Sequence, residues 1–226
     1  MKNYAIIVAG GKGSRMNSAI PKQFMVLEGK PVMMHTIETF YKSAAQPEII
    51  VVLNIHLHHT WDELCTKYGF EIPHTLVKGG AERFHSVKNG LKLIKGKACV
   101  AIHDAVRPLV SKSLIEQSFE AAAEKGNAVT GVTPTDSVRQ LDGKGKTRSL
   151  QRAELMLIQT PQTFNIELLR KAYQEPFRNE FTDDASVVEF AGYDIHIIPG
   201  ERENIKITQG ADLELAALYL KKKASE

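Results

Sequence analysis

The chain has 226 residues, 43% hydrophobic and 24% charged, with a formal net charge of +3 spread along its length. That is an ordinary globular composition, long enough to bury a sizeable core. It excludes a nucleic-acid-binding polymer, because the one basic cluster, Lys221-Lys222-Lys223, reads as the solvated end of a helix. No apolar window reaches transmembrane length, and the N-terminus lacks the apolar region of a signal peptide. Two cysteines, Cys65 and Cys99, have neither CxxC spacing nor histidines at metal spacing, so both are expected as buried free thiols. The expected address is the cytoplasm, with no nucleic acid and no membrane as partner.

Residues 4–9 (YAIIVA) are too short for a helix, rich in Ile and Val and followed by glycines, which predicts a buried strand. A helix over 31–43 places Met33, Ile37 and Phe40, with Ala44 after them, on one face. Residues 48–54 (EIIVVLN) predict a second buried strand, and 56–68 a helix stopping at Gly69. A short strand is expected at 75–78. A helix over 82–94 aligns Phe84, Val87, Leu91 and Ile94, and the next strand covers 98–102. Ser113 and Glu116 have capping-box spacing for a helix reaching about Lys125, and 128–132 predicts another strand. Such alternation predicts an α/β fold: an open, mostly parallel Rossmann-like sheet with flanking helices. Ligands then bind beyond the carboxyl ends of the strands, where residues 10–15, 79–83 and 103–108 fall.

After Pro134 the pattern breaks. Residues 135–158 are polar, contain Gly143 and Gly145 and lack a helical period, which predicts a hairpin-like projecting β-arm turning near residues 142–146. Helices are expected at 166–173 and 183–191, a strand at 194–198, and a last helix over 211–223. With no repeat, low-complexity tract or clear linker, residues 1–226 are expected to form a single domain that includes the arm.

Five segments carry candidate chemistry. Ala9-Gly10-Gly11-Lys12-Gly13-Ser14-Arg15-Met16 follows the first strand. Its glycines allow close backbone approach to an anion, and Lys12, Arg15 and, in Pro21-Lys22-Gln23-Phe24, Lys22 supply the charge a polyphosphate demands. It is not a P-loop, which requires a closing Gly-Lys-Ser/Thr, and Met16 stands where a dinucleotide fingerprint needs glycine. Gly79-Gly80-Ala81-Glu82-Arg83-Phe84-His85-Ser86-Val87 again pairs glycines between strand and helix, suited to reading a base edge or simply to a tight connection. His103-Asp104-Ala105-Val106-Arg107-Pro108 offers Asp and Arg for a metal, a phosphate or a hydroxyl, or as a pair that steadies the loop. Thr182-Asp183-Asp184 opens a helix with Thr182 as its cap, a position that also suits a bound hydroxyl or phosphate. In Glu203-Asn204-Ile205-Lys206-Ile207-Thr208, the alternation predicts a strand with Lys206 facing opposite Ile205 and Ile207, toward a ligand or simply toward solvent as most such lysines do.

Together these residues resemble the 2-C-methyl-D-erythritol 4-phosphate cytidylyltransferases of the non-mevalonate isoprenoid pathway. The matching elements are AGGKGSRM at 9–16, PKQF at 21–24, GGAERFHSV at 79–87, HDAVRP at 103–108, QTPQTF at 159–164, TDDAS at 182–186 and NIKIT at 204–208, in the family's order. The resemblance implies in-line attack by the phosphate of methylerythritol phosphate on the α-phosphorus of CTP, with Mg²⁺ as cofactor and pyrophosphate leaving. It implies Arg15 and Lys22 as transition-state cations, and Arg152 and Lys206 as the groups positioning the attacking phosphate. Ala9, Gly10, Gly11, Gly13, Gly80 and Ser86 correspond to CTP contacts, and Asp104, Arg107, Ser137 and Thr182 to the acceptor side. The metal is then held mainly by the CTP phosphates, with Asp104 nearby. Asp136 and Ser137 begin an arm that in this family crosses to the second chain of a homodimer. Ala81 departs from the pattern, since some members carry Asp there. A sister enzyme, ribitol 5-phosphate cytidylyltransferase, shares the glycine loop, PKQF, HDAVRP and QTPQ. An NAD-dependent oxidoreductase is a more remote alternative, disfavoured by Met16 and by the lack of an acid suitably placed after the second strand.

Overall fold

The computed structural model describes residues 1–10 and 20–225. In chain order it has β1 (Lys2–Val8), a 3-10 turn (Lys22–Phe24), β2 (Val26–Leu27), β3 (Lys30–Pro31), α1 (Val32–Tyr41), β4 (Glu48–Leu53), a second 3-10 turn (Ile55–Leu57), α2 (His58–Tyr68), β5 (Thr75–Lys78), α3 (Arg83–Leu91) and β6 (Ala98–Asp104). It continues through α4 (Lys112–Lys125), β7 (Asn127–Val132), β8 (Arg139–Leu141), β9 (Thr147–Ser149), a third 3-10 turn (Arg152–Glu154), β10 (Leu157–Asn165), α5 (Ile166–Ala172), α6 (Asp184–Phe190), β11 (Ile197–Pro199) and α7 (Gly210–Ser225).

Seven strands form one sheet in the order β11-β7-β10-β6-β1-β4-β5. All neighbours are parallel except β10, which runs antiparallel to both β6 and β7. This is the mostly parallel α/β sheet expected from the alternation of apolar runs and helical periods. Side-chain alternation divides β1 between two core layers. Tyr4, Ile6 and Val8 pack with Phe84 and Val87 of α3, Leu169 of α5 and Val188 of α6. Ala5, Ile7 and Ala9 pack with Met33, Ile37 and Phe40 of α1, Trp61 of α2 and Leu114 of α4. Each large apolar side chain buried this way contributes about 1.5–3 kcal/mol, which fixes the register of the helices on the sheet. Register also assembles one end of the sheet: Val8 lies opposite Val52 in β4 and Asp104 in β6, so Ala9, Asn54 and Ala105 leave the sheet together.

Several elements differ from the sequence expectations. Helix α1 ends at Tyr41, leaving Ala44 exposed, where its N–H donates to Glu116 at 2.7 Å. Glu116 is thereby engaged, and the cap of α4 is Ser111 rather than Ser113: Ser111 Oγ accepts from Leu114 N at 3.0 Å and is itself bonded to Glu201. The cap of α6 is Asp183, not Thr182, in a reciprocal capping box with Ser186. Residues 204–208 are not a strand. They are held by Ile207 N donating to Val106 O at 2.9 Å, while Ile207 is buried and Lys206 exposed as alternation requires. Cys99 is buried and Cys65 only half-buried, both free, with burial pushing the Cys65 thiol up to about 11. No helix among the described residues is long and apolar enough to cross a membrane. Lys221 and Lys223 pair with Glu28 and Glu203, tying α7 to the domain.

Strands β8 and β9 form a separate two-stranded antiparallel sheet, exposed at every residue. Its turn is where the glycines place it, with Asp142 Oδ1 accepting from the amides of Lys144 and Lys146.

Candidate active site

Three segments leave the carboxyl ends of β1, β5 and β6 and meet over α3. Ala9 N donates to Val52 O at 2.8 Å, Gly79 N to Leu53 O at 2.8 Å and Ala105 N to Val8 O at 3.0 Å. These bonds extend the parallel ladder one step beyond the strands and fix where each loop starts. Ser86 then gathers two of the glycine motifs. Its Oγ accepts from Gly80 N at 3.0 Å and donates to Glu82 O at 3.1 Å. A Cβ on Gly10 would stand 3.2 Å from that same Oγ, and one on Gly80 would stand 2.3 Å from His85 Cβ. Only glycine fits at Gly80 without moving the backbone. Among the described residues these two bonds leave Ser86 Oγ one lone pair over. Gly11, Gly13 and Arg15 lie outside the described residues.

The PKQF segment is clamped from two sides. Buried Gln23 donates through Nε2 to Ala9 O at 3.1 Å. Phe24 stacks on Trp61, with centroids 6.1 Å apart. Trp61 is the only tryptophan, fully buried, and its Nε1 donates to His74 Nε2 at 2.9 Å. Lys22, at the start of this 3-10 turn, is thus carried on a fixed base beside Ala9.

Three cations, Arg83, Arg107 and Lys206, converge on Asp104, the last residue of β6. Lys206 Nζ lies 2.9 Å and Arg107 Nε 3.4 Å from Asp104 Oδ2, and Arg83 Nε lies 3.8 Å from Oδ1. Burial alone would raise this carboxyl, but Arg83, Lys206 and Arg107 hold it well below the usual carboxylate range. Arg107 also donates to Asn204 O at 2.7 Å, so HDAVRP and NIKIT are joined by both backbone and side chain. Thr182 is exposed next to the Asp183 cap. Arg152 and Ser137 are exposed in the arm, and Arg152 Nη1 donates to Thr135 O at 2.6 Å, at the arm's own base rather than to the Asp104 cluster.

Among the described residues, no group of three or more His, Cys, Asp or Glu side chains is placed to hold a metal ion. With three cations around its carboxylate, Asp104 does not fit a direct metal ligand.

Sequence reasoning missed the framework behind these residues. Strand β10 carries Gln159, Thr160, Gln162 and Thr163, all buried. Thr160 Oγ1 accepts from Asp104 N at 3.1 Å, and Thr160 O accepts from Asn204 Nδ2 at 2.8 Å. Gln162 Oε1 accepts from the first-turn amides of α6, Asp184 N at 3.1 Å and Ala185 N at 2.9 Å, while its Nε2 donates to Asp183. Each buried polar group so satisfied fixes one loop of the site. Asp184, read from the sequence only as a member of the Thr182-Asp183-Asp184 helix start, is buried and has a role there that local pattern does not show. It accepts from Arg83 Nη2 at 2.6 Å and from Tyr173 OH at 2.6 Å.

His103, one residue before Asp104, is a structural histidine. It is fully buried, its Nε2 donates to Arg107 O at 3.2 Å, its Nδ1 has no partner among the described residues, and its ring packs 5.0 Å from Phe40. Burial pushes its pKa from 6.5 down to about 4. The unfolded chain therefore takes up a proton near 6.5 that the folded chain refuses. The stabilisation is complete above that pH and falls by roughly 3 kcal/mol as pH drops to about 4. In urea unfolding, the stability difference between the wild type and His103→Gln should narrow from pH 7 to pH 4.5. Parallel pH slopes would show that His103 titrates normally in the fold.

The model of the 2-C-methyl-D-erythritol 4-phosphate cytidylyltransferase family matches residues 3–222. The chain belongs to that family. Proteins named 2-C-methyl-D-erythritol 4-phosphate cytidylyltransferase are similar throughout. The one from Phocaeicola vulgatus is 44% identical, with 97% of this chain and 100% of that protein aligned. The one from Bacteroides thetaiotaomicron is 45% identical over the same shares. Among solved structures, the 4-diphosphocytidyl-2C-methyl-D-erythritol synthase of Anaerococcus prevotii superposes with a TM-score of 0.83 at 28% identity, covering 97% of this chain and 96% of that one. The Thermus thermophilus cytidylyltransferase gives 0.77 at 29% identity, covering 98% and 100%. The matched range, residues 3–222, includes both clusters, Gly10–Gly80–Ser86 and Arg83–Asp104–Arg107–Lys206. Family membership favours a cytidylyltransferase over the oxidoreductase alternative.

Proposed function

We propose that the chain transfers CMP from CTP to 2-C-methyl-D-erythritol 4-phosphate, giving 4-diphosphocytidyl-2-C-methyl-D-erythritol and pyrophosphate. The observation that carries this reading is α3, which within one turn presents Ser86 to the glycine node and Arg83 to the Asp104 cluster. A nucleotide and a phosphate acceptor are thereby brought to the same end of one sheet, beyond β1 and β5 on one side and β6 on the other. The backbone around Gly10, Gly11, Gly13 and Gly80 approaches the nucleotide, with Ala9 anchoring the loop and the Ser86 lone pair available to a base amino group. Arg15 and Lys22 meet the charge that develops at the α-phosphate. Lys206 and Arg152 hold the attacking phosphate, and Asp104, Arg107, Thr182 and Ser137 line the acceptor. The carboxyl of Asp104 is ionised at neutral pH and accepts hydrogen bonds only, so it selects a hydroxyl and not a second phosphate.

Mg²⁺ enters as the chelate of the CTP phosphates. We further read the protein as a cytoplasmic homodimer joined through the arm. Support comes from the exposed β8–β9 hairpin and from Leu141, Met156, Leu157, Ile158 and Ile197, large apolar side chains left exposed along the arm and the neighbouring sheet edge. The reaction is tested by offering CTP with methylerythritol phosphate and with ribitol 5-phosphate side by side, with ATP as a control nucleotide. Pyrophosphate release is expected with CTP and methylerythritol phosphate, and little with ATP. Efficient turnover of ribitol 5-phosphate alone would assign the sister activity instead.

A further inference from the structure

We propose that Arg83 is a positioning residue for the acceptor half of the site: it fixes the Asp104 carboxylate so that Lys206 and Arg107 keep one arrangement toward the incoming phosphate. The inference rests on the cytidylyl-transfer reading for its substrate, and on geometry for the rest. Arg83 is the first residue of α3 and has a rigid anchor behind it. Its Nη2 lies 2.6 Å from Asp184 Oδ2, and the Asp184 side chain is wholly buried. The other oxygen of Asp184 accepts from Tyr173 OH, and its backbone amide is bound to Gln162. Tyr173 in turn stacks on Phe84, the residue after Arg83, at 4.7 Å. Asp184 therefore has no freedom to follow a moving partner.

From that anchor Arg83 holds its Nε 3.8 Å from Asp104 Oδ1, an ion-pair contact longer than a hydrogen bond, while Lys206 and Arg107 lie 2.9 and 3.4 Å from Oδ2. A carboxylate torsion is soft and broadly two-fold, so a fixed cation beside one oxygen biases the direction of the other. The guanidinium suits this because its planar fork addresses two carboxylates from different edges, which an ammonium cannot do. Three cations against the two carboxylates Asp104 and Asp184 leave the cluster with net positive charge, as an anionic acceptor needs. Lys206, whose side chain is 42% exposed, has one of its three protons directed at Asp104 and two left for solvent or ligand. The Asp104 carboxylate is what holds that ammonium at the mouth of the site.

Steady-state kinetics of the wild type, Arg83→Met and Arg83→Lys test the idea, with CTP and acceptor varied separately. For Arg83→Met we expect kcat/KM for the acceptor to fall by about tenfold to a hundredfold, the scale of a small misplacement of reacting groups. The KM for CTP should change by less than about threefold, since Ser86 and Gly80 do not bond to Arg83. The acid limb of the acceptor kcat/KM profile should move to higher pH. Around Asp104 stand Arg83 from α3, Arg107 from its own loop, Lys206 from residues 204–208 and neutral His103 from its own strand, with Asp184 and Tyr173 behind Arg83. Losing one cation lets the carboxyl titrate closer to its ordinary range. Arg83→Lys retains the charge and should return the limb toward its wild-type position without restoring acceptor affinity. Calorimetric binding of inorganic phosphate, which needs no turnover, should weaken about tenfold in Arg83→Met, a scale set by the same misplacement. If the wild type makes no CDP-alcohol, the functional reading fails and the phosphate titration still judges Arg83. Unchanged acceptor kinetics and phosphate binding would overturn the proposal. So would equal losses for CTP and acceptor that follow a lowered Tm, the signature of a purely structural tie between α3 and α6.

Discussion

Asp104→Asn is expected to cost the protein both stability and productive use of the acceptor. The change preserves shape and removes one negative charge from between Arg83, Arg107 and Lys206. The amide also has only one acceptor oxygen. Whichever way it turns, its NH₂ faces either Arg83 or the Lys206–Arg107 pair, donor against donor. Removing one member of a buried ion pair costs about 3–5 kcal/mol. Lys206 is partly solvated and Arg83 retains Asp184, so the low end, about 3 kcal/mol, is the expected loss at neutral pH. Acceptor kcat/KM should fall by about a hundredfold or more, on the scale of losing one preorganised polar group. The folded carboxyl titrates below its unfolded value. Its stabilisation is therefore present above the ordinary carboxylate range near pH 4 and is lost as pH falls through the depressed pKa. Urea midpoints of wild type and variant should be well separated at pH 7 and approach each other near pH 3. Equal midpoints at pH 7 would mean that solvent already screens the cluster.

That such a cluster forms was only partly legible in the sequence. β1, β4 and β6 could be read from uninterrupted apolar runs, since strands covered on both faces need no polar alternation. α3 could be read from the spacing of Phe84, Val87 and Leu91, which are buried as expected. Strand β10 could not. Its central residues, Gln159-Thr160-Pro161-Gln162, carry the polar and proline signals of a loop, yet they lie inside the sheet because their partners come from Glu201, Asn204, Asp104 and α6. Those partners are 21 to 56 residues away along the chain, beyond the reach of any local pattern. The same holds for the caps. Ser113 has the right spacing to Glu116, but Glu116 is drawn to Ala44 and Ser111 is fixed by Glu201. Arg83 was visible inside GGAERFHSV without a role, because its meaning depends on Asp184, 101 residues on. A polar run that looks like a loop but matches a family motif is the signal that would have located β10.

The arm supplies the other large expected effect, read through the pairing of chains. Arg152 is exposed and bonded to Thr135, while Lys22 sits on the Gln23–Phe24 base against β1. If the arm crosses a two-fold axis, Lys22 of one chain and Arg152 of the other complete a single site. Lys22→Ala and Arg152→Ala should each lower kcat by about a hundredfold or more, the scale of losing a preorganised charge at the transition state. Mixed and allowed to exchange subunits, the two inactive proteins should recover activity. A mixed dimer holds one site with both lesions and one with neither, and random pairing makes half of all dimers mixed. Recovery should therefore reach about a quarter of the wild-type sites, the ceiling that two-fold pairing sets. If Arg152 serves its own chain, every site in the mixture keeps one lesion and nothing returns. Subunit exchange is verified independently by mass-labelled chains. Exchange without recovery would therefore exclude the trans arrangement, and recovery near a quarter would require it.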